Sequence, residues 1–211
     1  MQNIQKQNQS LADLLNIPKD IVLASSSPRR KKLLETLGIS FHIMHPKIDE
    51  NNFKTTNPID IVQELAHRKA KEIALQIKNV LVIGADTIVV CDGKLFNKPS
   101  DKQEAFNYLK YLSNRTHTVY TGIALYDSDT NESLVANEQT QVSFRELEDD
   151  EIWAYIGTGS PLDKAGAYGI QDDFGAVFVN KIVGDFYNIV GLPLTLLYLK
   201  LKEFSKNYTK I

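Results

Sequence analysis

Apolar residues recur along this chain at two spacings, which predict alternating strands and helices. Short apolar runs between polar residues indicate buried strands, and apolar residues three or four positions apart indicate helices that pack on one face. Because the two kinds of element are interleaved, the sequence predicts an α/β fold with a mixed β-sheet flanked by helices. The predicted strands are 21–24, 41–44, 80–83, 88–90, 94–96, 116–126, 133–145 and 176–182, and the predicted helices are 28–37, 58–77, 101–112, 149–156 and 194–204.

Capping and turn residues mark several ends of these elements. Ser27 is a typical N-cap, and Pro28 suits the first helical position after it. The Asp-Gly pair at 92–93 predicts a hairpin turn between two short strands. Ser100 with Gln103 has the pattern of a capping box for the helix that follows.

Length and composition predict one compact unit. The chain has 211 residues, of which 43% are hydrophobic and 24% charged, values that are ordinary for a globular protein. We expect an N-terminal extension at 1–20, one domain at 21–205 and a short C-terminal tail at 206–211.

Charge and hydropathy argue against several classes of protein. The formal charge of −2 is unlike the basic excess of dedicated nucleic-acid binders. No apolar run approaches the roughly 20 residues of a membrane span, and residues 1–10 lack the apolar stretch of a secretory signal. The single cysteine, Cys91, cannot form an intrachain disulfide, which is typical of a reducing compartment. We therefore expect a cytoplasmic protein without a membrane or a stable nucleic-acid partner.

A cluster of cations opens the first long helix. Arg29, Arg30, Lys31 and Lys32 lie in its first turn without an acidic residue. Helix N-termini favour negative charge, so this arrangement is unfavourable unless an anion such as a phosphate chain binds there. The alternative is a capped helix with a solvated basic face.

Two charged residues interrupt apolar patterns. Asp86 lies between two apolar runs, at a predicted strand end, where a carboxylate can hold a divalent metal or accept a proton from water. The alternative is a carboxylate bonded to nearby backbone N–H groups. Lys69 falls on the apolar stripe of the helix at 58–77, so its amine either extends to the surface or reaches an anion.

The segment 160–171 is a candidate binding loop. Its glycines permit a close backbone approach, and Gln171 offers both a donor and an acceptor to the edge of a base. The alternative is a plain surface loop. The segment 191–193 is interpreted only as the start of the last helix.

Taken together, these segments resemble the Maf family of nucleotide pyrophosphatases, in family order and spacing. The resemblance runs from about residue 21 to the C-terminal helix and leaves the first twenty residues outside. The matching segments are 23–30 (LASSSPRR), Glu50, 65–66 (LA), 69–70 (KA), 84–87 (GADT), 98–99 (KP), 163–171 (DKAGAYGIQ) and 190–193 (VGLP).

The resemblance implies a fold, a reaction and a set of roles. The family fold is a mixed α/β structure with two lobes around a central cleft, similar to that of enzymes that remove inosine triphosphate. Members hydrolyse nucleoside triphosphates at the α-phosphorus with a divalent metal, for which we expect Mg²⁺ or Mn²⁺. The resemblance makes Asp86 the base that activates water and, with Glu50, the metal site. It makes the phosphate ligands Ser27, Arg30, Lys69 and Lys98.

Three positions distinguish branches of the family. Members that prefer dTTP and UTP carry Arg, Thr and Gln at the positions of Arg29, Thr87 and Gln171, as this sequence does. Members that prefer 7-methylguanosine triphosphate tend to carry Trp, Gln and Glu there. The resemblance therefore implies a dTTP/UTP pyrophosphatase, with CTP or modified pyrimidine nucleotides as further substrates, which cleans the nucleotide pool as a homodimer.

Two alternatives belong to other classes of function. The family has been linked to septum formation, so the chain could be a nucleotide-binding regulatory protein of cell division. The basic segment at 29–32 could instead bind nucleic acid, in which case affinity would fall steeply with salt.

Overall fold

The computed structural model describes residues 14–50, 52–171 and 173–209. Its strands are β1 Asp20–Ala24, β2 Phe41–Met44, β3 Val80–Cys91, β4 Lys94–Phe96, β5 Thr116–Asp127, β6 Ser133–Phe144 and β7 Val179–Val183. Its helices are α1 Pro28–Glu35, α2 Pro58–Ala74, α3 Lys102–Leu112, α4 Asp149–Gly157, α5 Phe186–Val190 and α6 Leu194–Ser205.

The strands form one open, mixed sheet in the order β2-β1-β3-β5-β6-β7, with β4 paired to β3. β1 runs parallel to both β2 and β3. The pairs β3–β5, β5–β6 and β6–β7 are antiparallel. Helices lie against both faces of the sheet. The predicted α/β class with a mixed sheet is therefore confirmed.

The long strand β3 differs from the prediction of two short strands at 80–83 and 88–90. Its ladder with β5 continues without a break from Leu81 opposite Asp127 to Val90 opposite Thr118. Asp86 therefore lies in the middle of a strand, and the predicted strand end at this position is wrong. Gly84 does not break the strand. Its lack of a side chain instead lets helix α2 pack close to β3.

Helix α2 packs very closely on the sheet at two glycines. A Cβ atom at Gly84 would lie 2.2 Å from the carbonyl oxygen of Ala66, and one at Gly122 would lie 2.2 Å from that of Val62. Only glycine permits so close an approach of one backbone to another. The same contact brings Lys69, one turn further along α2, to Asp86.

Alternate side chains of β3 face different parts of the core. Leu81, Ile83 and Val89 belong to the large core on one face, whereas Val82 packs on the other face with α2. This alternation is that of a strand buried on both faces. It places Asp86 on the side of α2 and Thr87 on the side of α1.

Smaller differences concern the ends of elements. The predicted strand at 176–182 begins later, at Val179, because Asp173–Phe178 forms a 3-10 helix. The cap of α3 is Asp101, whose carboxylate accepts a hydrogen bond from the Glu104 backbone N–H at 2.8 Å, so the capping box assigned to Ser100 and Gln103 is wrong.

The domain boundaries at 1–20, 21–205 and 206–211 remain a prediction. Residues 1–13 and 210–211 lie outside the described residues. Within the described part, Leu15 is buried in the large core. None of the described helices is both long and apolar enough to cross a membrane.

Candidate active site

A gap in the sheet opens a cleft beside β3. The parallel partner β1 ends at Ala24, opposite Gly84, and β4 ends at Phe96, opposite Val89. Residues 85–88 therefore have no strand on that side, and their other side pairs with β5. The resulting cleft has a volume of about 540 Å³. It is lined by all nine residues predicted for the site, which are Ser27, Arg29, Arg30, Glu50, Lys69, Asp86, Thr87, Lys98 and Gln171.

A buried ion pair lies on one wall of the cleft. Lys69 Nζ donates to Asp86 Oδ1 at 2.5 Å, and the two side chains are only 6% and 8% exposed. The same amine lies 2.7 Å from Glu50 Oε1, and Lys98 Nζ lies 3.5 Å from Glu50 Oε2. Lys69 thus bridges two carboxylates, so its amine reaches anions and does not extend to the surface.

The environment of Glu50 favours its ionised form. Burial raises the pKa of Glu50, but the charges and hydrogen bonds of Lys69 and Lys98 outweigh burial and lower the pKa below its usual value. The carboxylate therefore remains charged at neutral pH.

The acidic pair is a suitable but minimal donor set for a hard divalent cation. Glu50 and Asp86 both contact Lys69 and line the same cleft. In the described part of the chain, no three His, Cys, Asp or Glu residues are grouped so that they could hold a metal. Mg²⁺ commonly binds through one or two carboxylates and completes its coordination with substrate phosphates and water. The two carboxylates fit that mode and not an all-protein cage.

The N-terminus of α1 forms another part of the cleft. Ser27 caps the helix, as predicted, and its hydroxyl accepts from the Arg30 backbone N–H at 3.4 Å. Pro28 occupies the first turn, also as predicted, and no acidic residue lies there. The partial positive charge of this helix end makes it a suitable place for an anion.

Arg30 is held through two nitrogens of its guanidinium group. Its Nε donates to the Gly191 carbonyl at 2.8 Å, and its Nη2 donates to Thr87 Oγ1 at 3.0 Å. Burial lowers the pKa of Arg30, although an arginine remains charged in proteins. Gly191 has φ +114° and ends α5. It therefore belongs to the site, a role that the interpretation of 191–193 as a helix start missed.

Arg29 joins α1 to the glycine-containing segment. Its Nη1 donates to Asp163 Oδ2 at 2.7 Å and its Nη2 to the Asp163 carbonyl at 3.2 Å. Asp163 Oδ1 also accepts from the buried amine of Lys164 at 2.8 Å. Burial raises the pKa of Asp163, but its bonds to Lys164 and Arg29 lower it overall. Gln171, at the end of the same segment, also lines the cleft.

Comparison with known proteins agrees with this geometry. A family model described as Maf-like protein matches residues 20–204. A dTTP/UTP pyrophosphatase of Pelotomaculum thermopropionicum is 46% identical over 189 residues, which is 90% of this chain and 98% of the relative. The protein of the same name from Dictyoglomus turgidum is 44% identical over 188 residues, or 89% and 97% of the two chains. That from Moorella thermoacetica is 48% identical over 174 residues, or 82% and 89%. The chain therefore belongs to the family of Maf-like proteins.

Proposed function

We propose that this protein hydrolyses dTTP and UTP to the nucleoside monophosphate and pyrophosphate, and so removes nucleotides from the pool. The observation that carries the proposal is one cleft with a buried carboxylate on one wall and an arginine beside a helix N-terminus on another. The relatives named dTTP/UTP pyrophosphatase support this activity and these substrates.

The triphosphate binds to the basic part of the cleft. The N–H groups of α1, the Ser27 hydroxyl and the guanidinium of Arg30 bind phosphate oxygens, and Lys98 adds a charge at the mouth, where its side chain is 59% exposed. Positive charge and fixed N–H donors stabilise the charge that develops on the leaving pyrophosphate.

Asp86 acts as the base. It orients a water molecule towards the α-phosphorus and accepts one of its protons as the oxygen attacks. The bond from the α-phosphorus to its bridging oxygen breaks, and that oxygen leaves with pyrophosphate. Lys69 holds the Asp86 carboxylate in place and contacts phosphate oxygens as they arrive.

Glu50 and Asp86 are the residues that would hold a divalent cation, Mg²⁺ or Mn²⁺. When bound, the cation supplies charge neutralisation for the triphosphate.

Base selection is assigned to Arg29, Thr87 and Gln171, which come from three separate elements and line one cleft. The Gln171 amide can both donate to and accept from a pyrimidine edge. The protein is further assigned to the cytoplasm as a homodimer, without stable nucleic-acid binding. Its single cysteine and its formal charge of −2 support the compartment and the last point.

Product analysis tests this function. Purified protein with Mg²⁺ or Mn²⁺ is incubated with dTTP, UTP, CTP and the purine nucleoside triphosphates, and the products are separated. We expect monophosphate and pyrophosphate, with dTTP and UTP consumed fastest. A nucleoside diphosphate with inorganic phosphate would contradict the assigned bond, and nucleotide binding without turnover would favour a regulatory protein.

A further inference from the structure

A chain of hydrogen bonds leads from the cleft into the sheet. Arg30 Nη2 donates to Thr87 Oγ1 at 3.0 Å, Thr87 Oγ1 lies 3.0 Å from Thr121 Oγ1, and Thr121 Oγ1 donates to the Asn188 carbonyl at 2.9 Å. Thr87 and Thr121 are directly opposite each other on β3 and β5. Thr121 is fully buried and does not line the cleft.

The two ends of this chain determine the direction of every bond. A guanidinium group only donates, and a carbonyl oxygen only accepts. Thr121 gives its one hydroxyl proton to Asn188, so its oxygen accepts from Thr87. The Thr87 proton is thereby committed to Thr121, and the Thr87 oxygen is left to accept from Arg30.

The far end of the chain is anchored. Asn188 is fully buried, and its Nδ2 donates to the Val119 carbonyl at 3.0 Å and to Thr140 Oγ1 at 2.9 Å. Thr140 in turn donates to the Asp185 carbonyl and accepts from the Asp185 N–H. These bonds fix α5 on β5 and β6. They therefore also fix the position of the Asn188 carbonyl, which accepts the hydrogen bond from Thr121.

The same helix also holds a second nitrogen of the Arg30 guanidinium. Arg30 Nε donates to the carbonyl of Gly191, the residue that ends α5. These two hydrogen bonds of the guanidinium therefore both depend on α5, one directly and one through two hydroxyl groups. A guanidinium held in this way loses little further conformational entropy when it binds an anion.

We propose that Thr121 is a positioning residue for the nucleotide phosphates, acting through Thr87 on Arg30. Its hydroxyl keeps the Thr87 oxygen available as an acceptor, and this bond holds the Arg30 guanidinium in one orientation. The inference rests on the proposed function, in which Arg30 binds phosphate. Thr121 contributes to affinity for the phosphate chain and not to the proton transfer at Asp86.

Three substitutions test this assignment. Thr121→Val keeps the size and branching of the side chain but removes the hydroxyl. We expect it to raise the KM for dTTP and the Kd for inorganic pyrophosphate, measured by calorimetry, about tenfold, while kcat changes less than about threefold. Thr121→Ser retains the hydroxyl and should restore both constants to near their original values. Thr116→Val, on the same strand as Thr121, removes an exposed hydroxyl bond to Ser143 on β6; it is the matched control and should change neither constant.

A purely structural effect gives a different pattern. Loss of folded protein would lower the apparent kcat and the number of binding sites, without raising KM or Kd. If Thr121→Val does not fold, Thr121→Ala removes the hydroxyl without adding volume and should show the same tenfold loss of affinity.

A double-variant cycle shows whether the effect passes through Arg30. In an Arg30→Lys background the guanidinium is replaced by an amine, so adding Thr121→Val should cause little further loss of pyrophosphate affinity. Unchanged KM and Kd in Thr121→Val, full additivity with Arg30→Lys, or no pyrophosphate binding at all would overturn the inference. A protein that binds pyrophosphate but hydrolyses no nucleotide would instead refute the proposed function, and the calorimetry would still decide the role of Thr121.

Discussion

Asp86 is almost fully buried, and its nearest charged partner is the amine of Lys69. A buried carboxylate in contact with an amine is strongly oriented, because any rotation would leave the buried carboxylate without its ion-pair partner. Glu50, on the other side of the amine, is 44% exposed and faces the mouth of the cleft. The two acids of the site thus differ in solvent access, which suits one to act on a bound water and the other to meet an arriving cation.

Replacing Asp86 by Asn tests its role as the base. Asp86→Asn keeps the shape of the side chain but removes its charge and basicity, so we expect kcat for dTTP to fall by about 10²–10⁴. Asp92→Asn, at an exposed turn, is the control and should retain activity. The measurement is steady-state pyrophosphate release, with circular dichroism to show that both variants fold. Turnover of Asp86→Asn close to that of the original protein would mean that another group activates the water.

The residues predicted from the sequence were those whose chemistry conflicts with their local pattern. Cations at a helix N-terminus and an acid between two apolar runs are visible in the sequence itself, and the family resemblance added Glu50 and Lys98. Gly191 and Thr121 gave no such signal. Arg30 meets Gly191 across 161 positions in the chain, and a buried threonine in a strand is ordinary.

Helix α2 and strand β3 form the element pair that places Lys69 beside Asp86. Their contact at Gly84 leaves no room for a side chain, since the nearest atoms, Ala66 O at 2.2 Å and Ala70 N at 2.9 Å, both belong to the α2 backbone. A backbone cannot yield as the end of a flexible side chain can. The distance between α2 and β3 is therefore set by this glycine.

Substituting Gly84 by Ala tests this dependence. The added methyl group must push α2 away from β3, so we expect Gly84→Ala to lower the free energy of unfolding by about 1–3 kcal/mol or more and to separate Lys69 from Asp86, with a large loss of activity. Gly157→Ala is the matched control, because a Cβ at Gly157 meets no atom within 4 Å. Thermal unfolding and dTTP turnover are the measurements. Equal stability and activity in the two variants would show that the glycine contact does not set the spacing.

Prediction of the elements succeeded where periodicity was strong and failed where tertiary pairing overrode it. The strand at 21–24 and the helix from 58 follow from runs of apolar residues, and the structure contains both. The break predicted within β3 was wrong because Gly84 and Asp86 interrupt the apolar run in the sequence, whereas the full ladder with β5 keeps this segment extended. The short helix α5 was not predicted, since five residues give too little periodicity.

At the scale of the whole molecule, a polar cluster joins distant parts of the chain. Asp127, at the end of β5, accepts from Lys19 Nζ at 2.7 Å and from the Tyr208 hydroxyl at 2.7 Å. It also accepts from the backbone N–H groups of Asp129 and Thr130. Burial raises the pKa of Asp127, but the bonds from Lys19, Tyr208 and the backbone outweigh it and lower the pKa to about 2.

This cluster makes stability depend on pH. Because the pKa of Asp127 is lower in the fold than its usual 3.8, the carboxylate stabilises the fold above about pH 4, and this contribution is lost as the pH falls towards about 2. We expect Asp127→Asn to lower the free energy of unfolding by about 2 kcal/mol at pH 7, and by progressively less below pH 4. Asp149→Asn, which removes an exposed ion pair with Lys110, is the control and should have little effect. Urea unfolding across this pH range gives the result, and a difference that stays constant down to pH 2 would contradict it.

In the proposed function, water attacks the α-phosphorus in the cleft beside β3. The most direct test is dTTP hydrolysis in water labelled with heavy oxygen, followed by mass spectrometry of the separated products. Attack at the α-phosphorus puts the label in the thymidine monophosphate and leaves pyrophosphate unlabelled. Label in pyrophosphate, or in inorganic phosphate released beside a nucleoside diphosphate, would contradict the account.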